Sequence, residues 1–180
     1  MKKIFTILLL LLVLVGCAHG PKDNDGNGET AYGRCKEAFA GLKADDRDAM
    51  IMISFGGMDE NKKFFLDTEQ GAKIRSYMTY KITGSKELKD ETYPTYEFTV
   101  TVRSIDMLKV IEEYEKLGQK PLEKEVLLEA IDNSKDERIK TTVKVKTVLY
   151  PDVGIWRIRM NDDVFNAIFP NYDKYIEWRN

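Results

Sequence analysis

Apolar residues recur along this chain at two spacings, and the switch between them separates helices from strands. From Thr30 the spacing is helical: Tyr32, Cys35, Phe39 and Leu42 follow at steps of three and four, with Thr30 as the expected cap. Ala44-Asp45-Asp46 interrupts this helix. A short second helix is expected from Arg47 through Met50 and Ile53 to a stop at Gly56-Gly57. Asp59 caps a third, with Phe64, Phe65, Ala72, Ile74 and Tyr77 offered for burial and Thr68 and Gly71 as breaks within it.

At Met78 the period becomes two. Met78, Tyr80 and Ile82 alternate with Thr79, Lys81 and Thr83, after which the polar stretch from Gly84 to Glu91 reads as a loop. The clearest strand sets Tyr96, Phe98, Val100 and Val102 on one face and Glu97, Thr99, Thr101 and Arg103 on the other. Ser104 is the expected cap of a helix whose buried stripe is Ile105, Leu108, Ile111, Tyr114 and Leu117, with Gly118 just past its end. Pro121 opens a second helix carrying Leu122, Val126, Leu127, Ala130 and Ile131.

A long hairpin follows. Ile139, Val143, Val145, Thr147 and Leu149 share one face of its first strand, and Lys140, Thr142, Lys144 and Lys146 the other. Pro151-Asp152 turns the chain, and Trp156, Ile158 and Met160 face inward on the return while Arg157 and Arg159 face outward. Asn161 or Asp162 caps a last amphipathic turn with Val164, Phe165, Ile168 and Phe169, ended by Pro170. The tail then crowds Tyr172, Tyr175, Ile176 and Trp178 together, a density that either docks on its own domain, the preferred reading, or forms a contact site. The class is α+β: a curved antiparallel sheet packed against helices, with a helix pair inserted between strands, in one domain over 30–169 followed by an aromatic segment over 170–180.

The first residues carry an address. Met1-Lys2-Lys3 precedes the twelve-residue apolar run Ile4 to Val15, and a membrane-spanning helix needs roughly 20 residues. The run therefore reads as the hydrophobic region of a secretory signal. Its end, Leu14-Val15-Gly16-Cys17, resembles the bacterial lipobox. That resemblance implies a signal peptide over 1–16 and a fatty acyl (palmitate) anchor on Cys17. It also implies residence at the cell membrane or outer membrane of a bacterial envelope, on the extracytoplasmic side.

Residues 17–29 then form a tether, because glycine, asparagine and aspartate bury too little apolar surface to offset the entropy of ordering. Asp23, Asp25, Asn27 and Gly28 match the opening of an EF-hand loop, but Arg34 stands where the bidentate glutamate belongs, so no metal is expected.

Charge and composition then remove chemistries. The formal net charge is −2, and loss of Lys2 and Lys3 makes the mature chain more acidic, so no general attraction for nucleic acid is expected. If Cys17 carries lipid, Cys35 has no disulfide partner and reads as a small buried apolar residue. His19, the only histidine, lies in the tether, so a histidine base, a Ser-His-Asp relay and histidine-ligated zinc all lack residues. Gly56-Gly57 lacks the lysine of a phosphate loop, and the glutamates of the inserted helices read as solvated faces. No catalytic set and no cofactor are expected.

Phe98-Thr99-Val100-Thr101-Val102, Thr142-Val143-Lys144-Val145 and Trp156-Arg157-Ile158, followed by Asn161 to Phe169, resemble the nuclear-transport-factor-2-like cone. More narrowly, they resemble small bacterial lipoproteins of unknown function that carry such a domain. The resemblance spans about Thr30 to Phe169, with the helix pair from Ile105 to Ser134 as an insertion relative to the simplest cones.

The preferred functional reading is a lipid-anchored, monomeric module without catalysis. Its partners are the membrane, through Cys17, and an unidentified protein or small molecule. The alternative is a cone-fold carrier or enzyme with an apolar pocket between helix and sheet, lined by Tyr96, Phe98 and Trp156. The outward stripe Lys140, Lys144, Lys146, Arg157 and Arg159 reads first as a solvated sheet face partly neutralised by Glu97, and second as a contact for anionic head groups or an acidic polymer.

Overall fold

The computed structural model describes residues 27–118 and 123–180, with side-chain surroundings from Thr30 onward. The expected signal peptide, Cys17 and the expected tether through Gly26 lie outside the described residues, as does Pro121; the helix expected to open there begins at Lys124, after an extended Glu123.

Helix α1 (Asn27–Ala44) begins inside the stretch expected to be tether, three residues before Thr30. It buries Ala31, Cys35, Ala38, Phe39 and Leu42 on one face. It ends where Asp45 takes a left-handed φ of 55°. Asp46 then caps the single turn α2 (Arg47–Met50), its carboxylate accepting from the Asp48 and Ala49 N–H groups. Gly41 permits this tight reversal, since a Cβ there would collide with the Cβ of Ala49.

Ile53 does not continue the helix. It enters strand β1 (Ile53–Ser54) because the flanking backbone groups are claimed by another strand: Ile158 N–H donates to Met52 O at 2.8 Å and Met160 N–H to Ser54 O at 2.9 Å. The expected single helix after Asp59 is two, α3 (Glu60–Leu66) and α4 (Glu69–Tyr77). Thr68 acts as a cap, with its hydroxyl accepting from Gly71 N–H at 3.0 Å. Phe65 is buried, whereas Phe64 is 72 % exposed.

Strand β2 (Thr79–Leu88) runs through the polar residues expected to form a loop. Among the described residues it is an edge strand that pairs only with β3 (Thr95–Ile105), so its ladder needs no second apolar face, and a register shift between Ile82 and Gly84 leaves Thr83 as the extra residue of a bulge. Ser104 stays inside β3, buried, because that strand remains paired as far as Ile105 opposite Arg138. Asp106 caps α5 (Met107–Lys116) instead, accepting from Leu108 N–H at 3.0 Å, and Leu108 itself is exposed. Gly118 follows with φ 71°.

Helix α6 (Lys124–Asn133), strands β4 (Arg138–Tyr150) and β5 (Ile155–Arg159), and helices α7 (Asp162–Ile168) and α8 (Tyr172–Arg179) complete the chain. The sheet is open, in the order β1-β5-β4-β3-β2. It is mixed rather than wholly antiparallel, since β1 lies parallel to β5.

Tyr96, Phe98, Val100, Val102, Val143, Val145 and Ile158 project from the sheet into the core. Helix α1 crosses that face, with Tyr32 edge-on to Phe98 (6.1 Å) and Phe39 against Tyr80 (5.2 Å). The C-terminal residues dock on their own domain. Tyr172 and Tyr175 are buried around Phe65, and Trp178 meets the Tyr114 ring at 5.3 Å while its indole N–H donates to Glu115 at 3.1 Å.

Among the described residues one charged side chain lies wholly inside. Arg75 on α4 is 0 % exposed. Its Nη1 donates to Leu42 O (3.0 Å), its Nη2 to Leu66 O (2.9 Å) and to Asp45 Oδ1 (2.6 Å), and its Nε to Gly71 O (3.4 Å). The last carbonyls of a helix lack intrahelical partners, and here one guanidinium serves the ends of both α1 and α3. Arg75→Met should therefore cost roughly 2–6 kcal/mol, because it leaves the buried Leu42 and Leu66 carbonyls without their donor at about 1–3 kcal/mol each. Asp45→Asn should cost no more than about 1 kcal/mol, because the Asp45 side chain is 59 % exposed. Urea denaturation of both variants checks this; equal midpoints would show that the salt bridge, not the carbonyl cradle, holds the helix ends.

Candidate functional site: the bare face of the sheet

Strand alternation that sends aromatic and branched residues into the core sends another set the opposite way. Register aligns that set in rows. Thr79 stands opposite Arg103, and Arg103 opposite Lys140; next come Lys81, Thr101 and Thr142; then Gly84, Thr99 and Lys144; then Lys86, Glu97 and Lys146. The stripe read from the sequence is thus joined by Lys81, Lys86 and Arg103 from neighbouring strands. Which strands neighbour one another is not readable from a single sequence, so this wider patch was hidden.

The two ends of the face differ. Near the β2–β3 turn, Glu91 folds onto Lys146 and Glu97 lies 3.5 Å from Lys144. The hydrogen bond and charge of Lys146, helped by Arg159, hold the Glu91 carboxyl below the usual carboxylate range. Arg157 sits over the Tyr150 ring at 5.7 Å. At the far end Lys81, Arg103 and Lys140 are exposed, and among the described residues no carboxylate pairs with them. Arg103 and Lys140 face each other directly across the ladder, where like charges repel. The residues between them are threonines, with Thr101 and Thr142 hydroxyls 3.1 Å apart and Lys144 donating to Thr99 at 2.8 Å.

The three rings named for a pocket occupy the other face. Tyr96, Phe98 and Trp156 are 2 %, 0 % and 5 % exposed. Tyr96 stacks on Phe98 at 6.5 Å and meets Trp156 at 5.8 Å, so they contact one another. An open hollow of about 620 Å³ lies elsewhere, lined by Asp45, Arg47, Met50, Ile51, Phe55, Lys63 and Asp67.

Asp132 on α6 receives Lys73 Nζ at 2.8 Å and the Tyr77 hydroxyl at 2.5 Å, both from α4. Burial works to raise the Asp132 carboxyl, but the hydrogen bonds from Lys73 and Tyr77 outweigh it and the net shift is downward. The hydrogen bond to Asp132 raises both Lys73 and Tyr77. Every member is displaced away from neutrality, which suits a clasp between helices and not proton transfer. A Lys124–Glu69 ion pair joins the same two helices. Burial pushes the Cys35 thiol up to about 12, with the Thr147 hydroxyl pulling the other way, so it stays an unreactive thiol.

No protein-family model, no curated protein and no solved structure matches this chain at a significant level.

The buried ring set predicts that Trp156→Ala costs roughly 3–5 kcal/mol, read from the urea midpoint; a midpoint that barely moves would mean the ring is not part of the core. The clasp predicts a pH signature. Asp132 titrates below its ordinary 3.8, so its contribution is full above that value and is lost as pH falls through the lower folded value. Tyr77 and Lys73 titrate above 10.0 and 10.5, so theirs is full below those values and is lost as pH rises through the raised ones. The melting-temperature gap between the native protein and Asp132→Asn should be flat between these limits and shrink outside them. A gap that varies near neutrality would contradict the clasp.

Proposed function

We propose that this chain is a lipid-anchored, extracytoplasmic binding module that works by surface contact and performs no catalysis. Cys17 carries the anchor, and the domain sits at the cell membrane or outer membrane at the end of a short tether. The observation that carries the reading is the division of the sheet. Its inner face spends Tyr96, Phe98 and Trp156 on one another and on α1, leaving the cationic outer face as the surface open to a partner. This favours a binding module over a carrier with a pocket between helix and sheet.

A likeness to nuclear-transport-factor-2-like lipoproteins belongs to the same proposal. A leading helix on one sheet face, a helix pair between β3 and β4, and a final hairpin bearing Trp156 support it.

Cys17→Ser should abolish incorporation of labelled palmitate and shift the protein from the membrane fraction to the soluble one. Undiminished labelling would remove the anchor from the proposal.

A further inference from the structure

The far end of the outer face holds cations that the fold does not use. Lys81, Arg103 and Lys140 come from three adjacent strands, are exposed, and have no acidic partner among the described residues. Lys144 lies one row beyond, its charge only loosely answered by Glu97 at 3.5 Å. The Arg103–Lys140 opposition works against folding, so the pair gains nothing within the domain.

We propose that Lys81, Arg103, Lys140 and Lys144 seat the sheet on the anionic phospholipid head groups of the membrane that holds the anchor. Phosphate head groups supply the complementary charge. The patch is spread over an area instead of along one line, across β2, β3 and β4 with threonines between the cations. A bilayer surface matches that shape, whereas a linear polyanion is gripped by a groove or by aromatic stacking platforms, and this patch contributes only threonine, lysine and arginine. Reach permits the contact. The ten residues from Cys17 to Gly26 span at most about 33–36 Å, more than the two layers, each about 10 Å thick, that separate α1 from the outer side of the sheet.

The proposal rests on the anchored reading for its choice of membrane, and one preparation tests both separately. The full chain is placed in vesicles of phosphatidylcholine alone or with phosphatidylglycerol. Lysines are then modified with a membrane-impermeant amine reagent and read by mass spectrometry, and the N-terminal peptide in the same digest reports acylation.

Lys81, Lys140 and Lys144 should react at least ~threefold more slowly on the anionic vesicles and recover in about 0.5 M salt, as a screened contact does. Lys43 and Lys135, exposed on other surfaces, should not change. Arg103→Glu should abolish the protection without lowering the melting temperature, since it places opposite charges across the strands. Should that variant fail to fold, Lys81→Gln with Lys140→Gln replaces it and Lys144 is the reporter. Equal rates on both vesicle types overturn the proposal. So does protection that appears on neutral vesicles with added polyphosphate but not on anionic ones. An unacylated peptide with protected lysines defeats the anchor and leaves the face; an acylated peptide with unprotected lysines does the reverse.

Discussion

A single guanidinium removed from water sets the arrangement on which the rest depends. Arg75 donates to carbonyls at the ends of α1 and α3 and within α4. An uncompensated buried charge costs several kcal/mol, so the three segments must converge for Arg75 to be inside at all. Convergence then constrains the neighbours. A Cβ on Gly71 would strike the Phe65 carbonyl, so only glycine lets α4 start this close to the end of α3. Asp45 must adopt a left-handed conformation to bring its carboxylate to Nη2. With α1 and α3 fixed, Phe65 meets Phe169, Tyr172 and Tyr175, and the C-terminal helix has its docking surface.

The sequence was most legible where one face of an element is buried and the other wet. β3, the inward residues of β4 and the buried stripe of α1 were visible in spacing alone, because period two and period 3.6 are direct consequences of backbone geometry. It misled wherever a partner distant in sequence decided the outcome. Ile53 is a strand residue only because β5 offers it a ladder, and residues 84–88 are a strand only because β3 does. Ser104 lost the cap to Asp106 because β4 holds β3 extended two residues longer. Arg75 gave no signal of its role, since nothing local distinguishes it from any solvated arginine on an amphipathic helix.

The candidate site was partly legible for the same reason. Alternation places Lys140, Lys144 and Lys146 on one face of their strand. It cannot say that Arg103 stands opposite Lys140, or that Glu91 returns to cover Lys146. Those facts depend on register and on a turn, neither of which the hydrophobic pattern encodes when the outward face is polar throughout.

Net charge conceals the outcome. The helices neutralise themselves with pairs three residues apart: Lys63 with Glu60, Lys109 with Glu112, Lys116 with Glu113, and Lys174 with Glu177. Helical geometry makes such pairing easy, because residues three and four apart are neighbours. A strand offers no equivalent, since a charge on its outer face meets only what the adjacent strand presents. On this sheet Glu97 and Glu91 answer Lys144 and Lys146, but at the far end Lys81, Arg103 and Lys140 meet only cations and threonines across the strands. A chain of formal charge −2 thus carries an uncompensated positive patch at one end of its sheet, while many of its helix charges are paired within their own helix. That asymmetry follows from which secondary structure each charged residue occupies, not from how many there are.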